Sequence, residues 1–175
     1  MGWTNRLISV DIFTASYRVV GKVQVGSSGL LGMLNDETTS YLRVYEATLA
    51  RLHMPTKRAA QYDVAELTKR GIHAVCVRTR DEVGPLGLVR GGFTRVVRYR
   101  VAAVSQVFEF HGLFNWAGKF DPAAILVKGT SDFLAFYEGV LQAVLFPNLR
   151  VEAPGMLINR RKIDIFMHLQ EKGKK

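Results

Sequence analysis

Four histidines, one cysteine and two matched glutamates are the residues of this 175-residue chain whose types could carry chemistry. His53, His73, His111 and His168 stand singly, without the His-Glu-x-x-His or paired-Cys spacing that would gather ligands around a metal. Cys76 lies in the apolar run Ala74-Val75-Cys76-Val77 and is expected to be a buried, inert thiol. A single cysteine forms no internal disulfide, which fits a reducing cytoplasm. The Gly/Ser-rich run from Gly26 to Gly32 lacks both the Gly-Lys-Ser/Thr ending of a phosphate loop and the spacing of a dinucleotide turn, so it reads as a flexible connector. Glu46 and Glu138 are expected to bond backbone at strand ends or turns. No catalytic residue, metal or cofactor is expected from this set.

The basic residues form a clearer pattern. The formal net charge is +9, and six arginines between Arg78 and Arg100 face only Asp81 and Glu82. Guanidinium forks suit phosphates and carboxylates, and a chain of this charge attracts polyanions in a salt-dependent way. Arg95, Arg98 and Arg100, together with the turn Lys69-Arg70-Gly71, are therefore the candidate nucleic-acid-binding residues. A solvated strand face that guards an edge against aggregation is the competing reading of the same arginines.

These side chains must be positioned by a chain that is 48% hydrophobic and 22% charged, too apolar for disorder. No stretch is long and uncharged enough for a membrane-spanning helix, and the first residues lack the pattern of a secretory leader. In Arg95 to Val101, residues Val97, Tyr99 and Val101 share one face while Arg98 and Arg100 point the other way, as in a half-exposed strand. Tyr17 to Val25, Ile72 to Val77 and Ile163 to Met167 also have strand composition. Residues 41–52 are ambiguous. Tyr41, Val44, Tyr45, Thr48, Leu49 and Leu52 fit a helical stripe, and Phe133, Phe136, Tyr137, Val140, Leu141 and Val144 repeat it, yet the composition also allows strands.

The second half of the chain echoes the first in three blocks. Residues 10–23 match 107–120 at a shift of 97, residues 41–52 match 133–144 at 92, and residues 67–77 match 158–168 at 91. A diverged tandem repeat is expected, with a first unit over 1–80, a linker over 81–92 that holds Gly84-Pro85 and Gly91-Gly92, and a second unit over 93–175.

The order of these features resembles the Sm-like group of small SH3-like β-barrels. The aromatic-x-x-x-Gly spacing of Tyr17 to Gly21 and Phe114 to Gly118 is similar to the motif of strand 2 in that family. Lys69-Arg70-Gly71-Ile72 matches its late Arg-Gly turn, which Arg160-Arg161-Lys162-Ile163 echoes. The chain also looks like bacterial proteins of unknown function built on such a domain. The resemblance implies two tandem small barrels, with strands at 41–52 and 133–144. The Asp-x-x-Met-Asn stretch with which RNA-binding members grip a base has no match, so the resemblance carries RNA binding only onto Lys69, Arg70 and Gly71.

The expected fold is mainly β, two tandem small Sm-like or SH3-like barrels, the alternative being α+β with helices at 40–53 and 132–146. The expected function is non-enzymatic binding or assembly through a protein partner or self-association. Its motivation is the wealth of aromatics such as Phe108, Phe110, Phe114, Trp116, Phe120, Phe133 and Phe136, which one small barrel would not bury completely. Salt-dependent RNA binding is the alternative.

Overall fold

The computed structural model describes residues 5–85 and 95–170. Part of the expected linker, including Gly91-Gly92, and the basic C-terminal tail lie outside the described residues. Ten strands form one antiparallel sheet: β1 (Arg6–Thr14), β2 (Tyr17–Val25), β3 (Tyr41–Arg51), β4 (Arg58–Thr68), β5 (Ile72–Val77), β6 (Val96–Ser105), β7 (Phe108–Ala117), β8 (Phe133–Ala143), β9 (Arg150–Asn159) and β10 (Ile163–His168). Two short helices, α1 (Gly29–Asn35) and α2 (Pro122–Leu126), follow β2 and β7. The order across the sheet is β10-β6-β7-β8-β9-β5-β1-β2-β3-β4. The sheet is open. The expected pair of closed barrels is therefore corrected to one continuous sheet whose edges are β4 and β10.

The two halves of the sheet have the same strand order and the same register. Phe13 pairs with Ala74 and Thr14 with Ile72, and adding 91 to each residue gives Val104 with Ile165 and Ser105 with Ile163, including the irregularity between the two pairs. Along β3 and β8 the offset is 92: Val20–Thr48 and Lys22–Tyr45 recur as His111–Val140 and Leu113–Tyr137. This overturns the shift of 97 for residues 10–23, which laid β1 on the start of β7. The error is six residues, an even number, and a pattern of period two scores alike at any even displacement.

Residues 41–52 and 133–144 are strands, so the helical alternative fails. Both strands carry a bulge at the same place. Glu46 (φ 50°) and Glu138 (φ 48°) each hold a left-handed backbone in mid-strand. The register slips there by one residue. Buried residues of β3 run Leu42, Val44, then Ala47 and Ala50, so the bulge moves the buried face by one residue, and of the helical stripe within the strand only Val44 is among them. The glutamates are not at strand ends as expected. A non-glycine residue with φ near +50° costs about 1 kcal/mol, so Glu138→Gly is expected to raise unfolding stability by about 0.5–1 kcal/mol in urea titration. An equal loss would show that the side chain, not the backbone, governs that position.

The central strands separate two cores on opposite faces. Ile8, Val10, Ile12, Val23, Val75, Val77 and Leu157 pack with Leu30, Leu31 and Leu34 of α1 in the first. Phe108, Phe110, Phe136, Met156 and Ile158 pack with Ala74, Cys76 and Ile125 of α2 in the second. Alternation explains how one strand serves both: all six residues of β5 are buried, with Val75 and Val77 facing one core and Ala74 and Cys76 the other. The Gly/Ser-rich run expected to be a connector instead becomes α1, because Leu30, Leu31 and Leu34 lie on one helical face that caps the first core. The start of the expected linker is also packed: Thr79 and Glu82 form a capping box, and Val83 is buried against the sheet beside Gly155.

Candidate functional site

Two surfaces gather the residues singled out above: the joint where the halves meet, and the open edges of the sheet. At the joint, β5 pairs antiparallel with β9, Ala74 opposite Ile158 and Val77 opposite Gly155. Short 3-10 turns, Lys69–Gly71 and Arg160–Lys162, precede β5 and β10. Beside the first lies a cleft of about 590 Å³ whose walls include Glu37, Ser40, Lys69, Arg70, Asp132 and Arg161.

Lys69 is buried, and its ammonium donates to Met33 O (2.6 Å), Asp36 O (2.8 Å) and Thr39 Oγ1 (2.9 Å). Burial lowers its pKa from the ordinary lysine value, with Asp36 and Asp132 opposing the shift. All three ammonium protons have acceptors in the connection between β2 and β3, so this residue ties that connection down. Arg160 does the same in the other half, donating to Leu126 O (3.2 Å) and Gly129 O (2.5 Å) between β7 and β8. Asn35 and Asn159 stitch the halves together. Asn35 bonds the backbone of Phe133 through both amide atoms, and Asn159 donates to Ile72 O at 2.8 Å.

Arg70 is exposed on the cleft wall, and Gly71 closes the turn. Arg161 is exposed and donates to Asp132 at 2.7 Å. Arg95, Arg98 and Arg100 are also exposed, but on the opposite half of the sheet, where β6 runs on past the Val101–Ser105 stretch that pairs with β10. The expected nucleic-acid residues therefore fall on two separate surfaces, with Lys69 turned inward. Sequence reading missed Asn35 and Asn159, whose only signal was the position of polar residues beside apolar strands, and it noted Arg160 only as an echo of the Lys69-Arg70 turn.

Some of the exposed apolar side chains lie at the edges, while others, among them Leu7, Val127 and Leu145, lie elsewhere. Tyr62 (54% exposed) and Val64 (47%) on β4, and Ile165 (52%) and Met167 (38%) on β10 are in contact with solvent, as is Tyr41 on β3, opposite Thr68. The aromatics expected to form a contact patch do not: Phe108, Phe110, Phe114, Phe133 and Phe136 are buried, and Trp116 and Phe120 pack half-buried on the second core. A single sheet with two cores consumes more aromatic surface than one small barrel would.

Of the four histidines only His73 is buried, and His53, His111 and His168 are exposed. Cys76 is enclosed, and its thiol is pushed far above the ordinary value by desolvation, then by Asp11. No group of three or more metal-ligating side chains occurs among the described residues. His73 is buried edge-on to Phe108, its Nδ1 without a partner. Burial, and then Lys162, lowers its pKa to about 4. The folded chain thus prefers neutral His73, while the unfolded chain takes up the proton near pH 6.5. Stability from this group is complete above pH 6.5 and is expected to fall by about 3 kcal/mol as the pH drops towards 4. Urea titrations of the parent and His73→Phe across pH 7 to 4.5 should diverge, the parent losing more; parallel curves would refute the assignment.

A second cavity, of about 370 Å³, lies between α1, β7, β8 and α2, with Leu31, Trp116, Ile125 and Phe133 in its walls. None of the described helices is long and apolar enough to cross a membrane. No protein-family model, no curated protein and no solved structure matches the chain.

Proposed function

We propose that this protein is a non-enzymatic binding and assembly module, an adaptor or scaffold, built by duplication of a small Sm-like or SH3-like β unit and acting through its sheet edges. The observation that carries this reading is the joint itself. Within one chain, the last strand of one five-stranded unit already binds the fourth strand of the other by edge pairing. The equivalent edges, β4 and β10, remain open and hold apolar side chains in solvent, the condition under which an added strand gains both backbone hydrogen bonds and burial. The duplication is supported by the constant offset of 91 or 92 in every shared strand pairing.

The test is light scattering on size-fractionated, nuclease-treated protein at low and high salt. A defined assembly that survives high salt is expected, because edge pairing and apolar burial are weakly screened. A monomer at every concentration that recruits no strand would overturn the reading.

RNA binding is the second reading, supported by the exposure of Arg98 and Arg100 on β6, of Arg95 just before it and of Arg70 at the cleft. It requires that untreated protein carry excess absorbance at 260 nm which high salt removes, and that the Arg98→Ala/Arg100→Ala variant bind single-stranded RNA more weakly whatever its sequence. Binding unchanged in that variant would exclude the β6 arginines.

A further inference from the structure

We propose that copies of this chain join head to tail, β4 of one copy against β10 of the next, in the register that β9 and β5 use inside the chain. This rests on the assembly reading and names its partner, a second copy.

The offset of 91 fixes the pairing. Strand β9 is the counterpart of β4, and β5 is the counterpart of β10. The in-chain pairs Ala74–Ile158, Val75–Leu157, Cys76–Met156 and Val77–Gly155 translate into Ile165 opposite Leu67, Phe166 opposite Glu66, Met167 opposite Ala65, and His168 opposite Val64 of the next copy. Both edges are antiparallel in their own half, so the translated contact is antiparallel as well.

The exposed apolar residues stand where this contact needs them. Ile165 and Met167 correspond to Ala74 and Cys76, which β9 and the second core bury at the in-chain joint. Val64 corresponds to Gly155, buried opposite Val77 at that joint, while Tyr62 and Tyr41 correspond to Ala153 and Phe133, which are buried in the second and first cores. Three exposed large apolar side chains, Val64, Ile165 and Met167, thus fall within one contact, made with surface the chain already uses in its other half. Two polar features interrupt it: the ion pair Arg43–Glu66 (2.5 Å), half exposed, where the in-chain joint has Ala135 and Leu157, and His168, where the joint has Val77. A charged pair at the edge makes the contact between copies weaker than the contact within one, so chains fold singly and assemble reversibly. The contact is heterologous: two different surfaces meet, so each added copy presents a fresh edge until the assembly closes on itself.

Single-cysteine variants test this pairing. Ala65→Cys and Met167→Cys replace residues opposite each other in the translated register, and the buried native Cys76 stays unreactive. Under mild oxidation, either variant alone should remain monomeric on a denaturing gel, their mixture should give a covalent dimer, and the double variant a ladder or a closed product. A dimer from Ala65→Cys alone or Met167→Cys alone would mean that like edges pair, and would overturn the head-to-tail arrangement. No cross-link in the mixture would also overturn it; light scattering then separates the two failures. A mass above the monomer leaves the assembly reading standing through another surface, and a monomer removes both. As a check that needs no cysteine, Val64→Lys/Ile165→Lys, at exposed positions, should weaken association by about tenfold or more while the circular dichroism spectrum stays that of the parent.

Discussion

Lys69→Met is expected to lower the unfolding free energy by about 2–4 kcal/mol, measured by urea titration at neutral pH. The side chain is buried and reaches three acceptors, two of them backbone carbonyls in the connection that carries α1. A methionine fills the same volume and offers no donor, so the carbonyls of Met33 and Asp36 lose a charged partner inside the protein. The effect should spread to α1, whose Leu30, Leu31 and Leu34 cover the first core. Arg70→Ala, one residue away and exposed, should cost less than about 0.5 kcal/mol. Equal effects at the two positions would refute the structural role given to Lys69. The comparison also bears on the nucleic-acid reading, because Arg70 and not Lys69 has a side chain turned towards solvent.

Gly21→Ala should cost about 2–3 kcal/mol, and Gly112→Ala clearly less. The two glycines are counterparts, each facing the bulge made by Glu46 or Glu138. A Cβ at Gly21 would meet Val44 Cγ1 at 2.5 Å and Tyr45 O at 2.7 Å, so neither a side chain nor the backbone of β3 can make room. At Gly112 the nearest atoms are Tyr137 O at 3.1 Å and Phe136 Cβ at 3.2 Å, a tight fit that a shift of a few tenths of an ångström relieves. The order of the two losses is the test: Gly112→Ala losing as much as Gly21→Ala would mean that the bulges differ from the geometry described here. Both variants should keep the β-type circular dichroism spectrum, since the crossing is local.

The strands were legible where one face alone is buried or where β-branched residues run together. Tyr17–Val25, Ile72–Val77 and the alternating Arg95–Val101 were readable because their patterns need no knowledge of neighbours. The bulged strands were not, since a single left-handed residue breaks the alternation that would mark a strand. Helix α1 was hidden for the opposite reason: its glycines and serine have loop composition, and only packing of three leucines onto the first core holds the turn.

For the candidate site, residue type indicated charge and not its direction. Lys69 and Arg70 are adjacent and chemically alike, yet one spends its donors on carbonyls and the other faces solvent, a difference set by the connection that folds over the first of them. The exposed apolar side chains were equally unmarked. Val64 and Ile165 look like any strand residues, and they are exposed because their counterparts Gly155 and Ala74 lie at the joint while they lie at the rim. The sequence by itself determined a basic, β-rich chain with two similar halves, since composition and local periodicity are properties of neighbours along the chain. Which strands meet, that the sheet stays open, and which apolar residues are left uncovered were decided only by tertiary structure, because pairing and burial depend on residues about ninety positions apart.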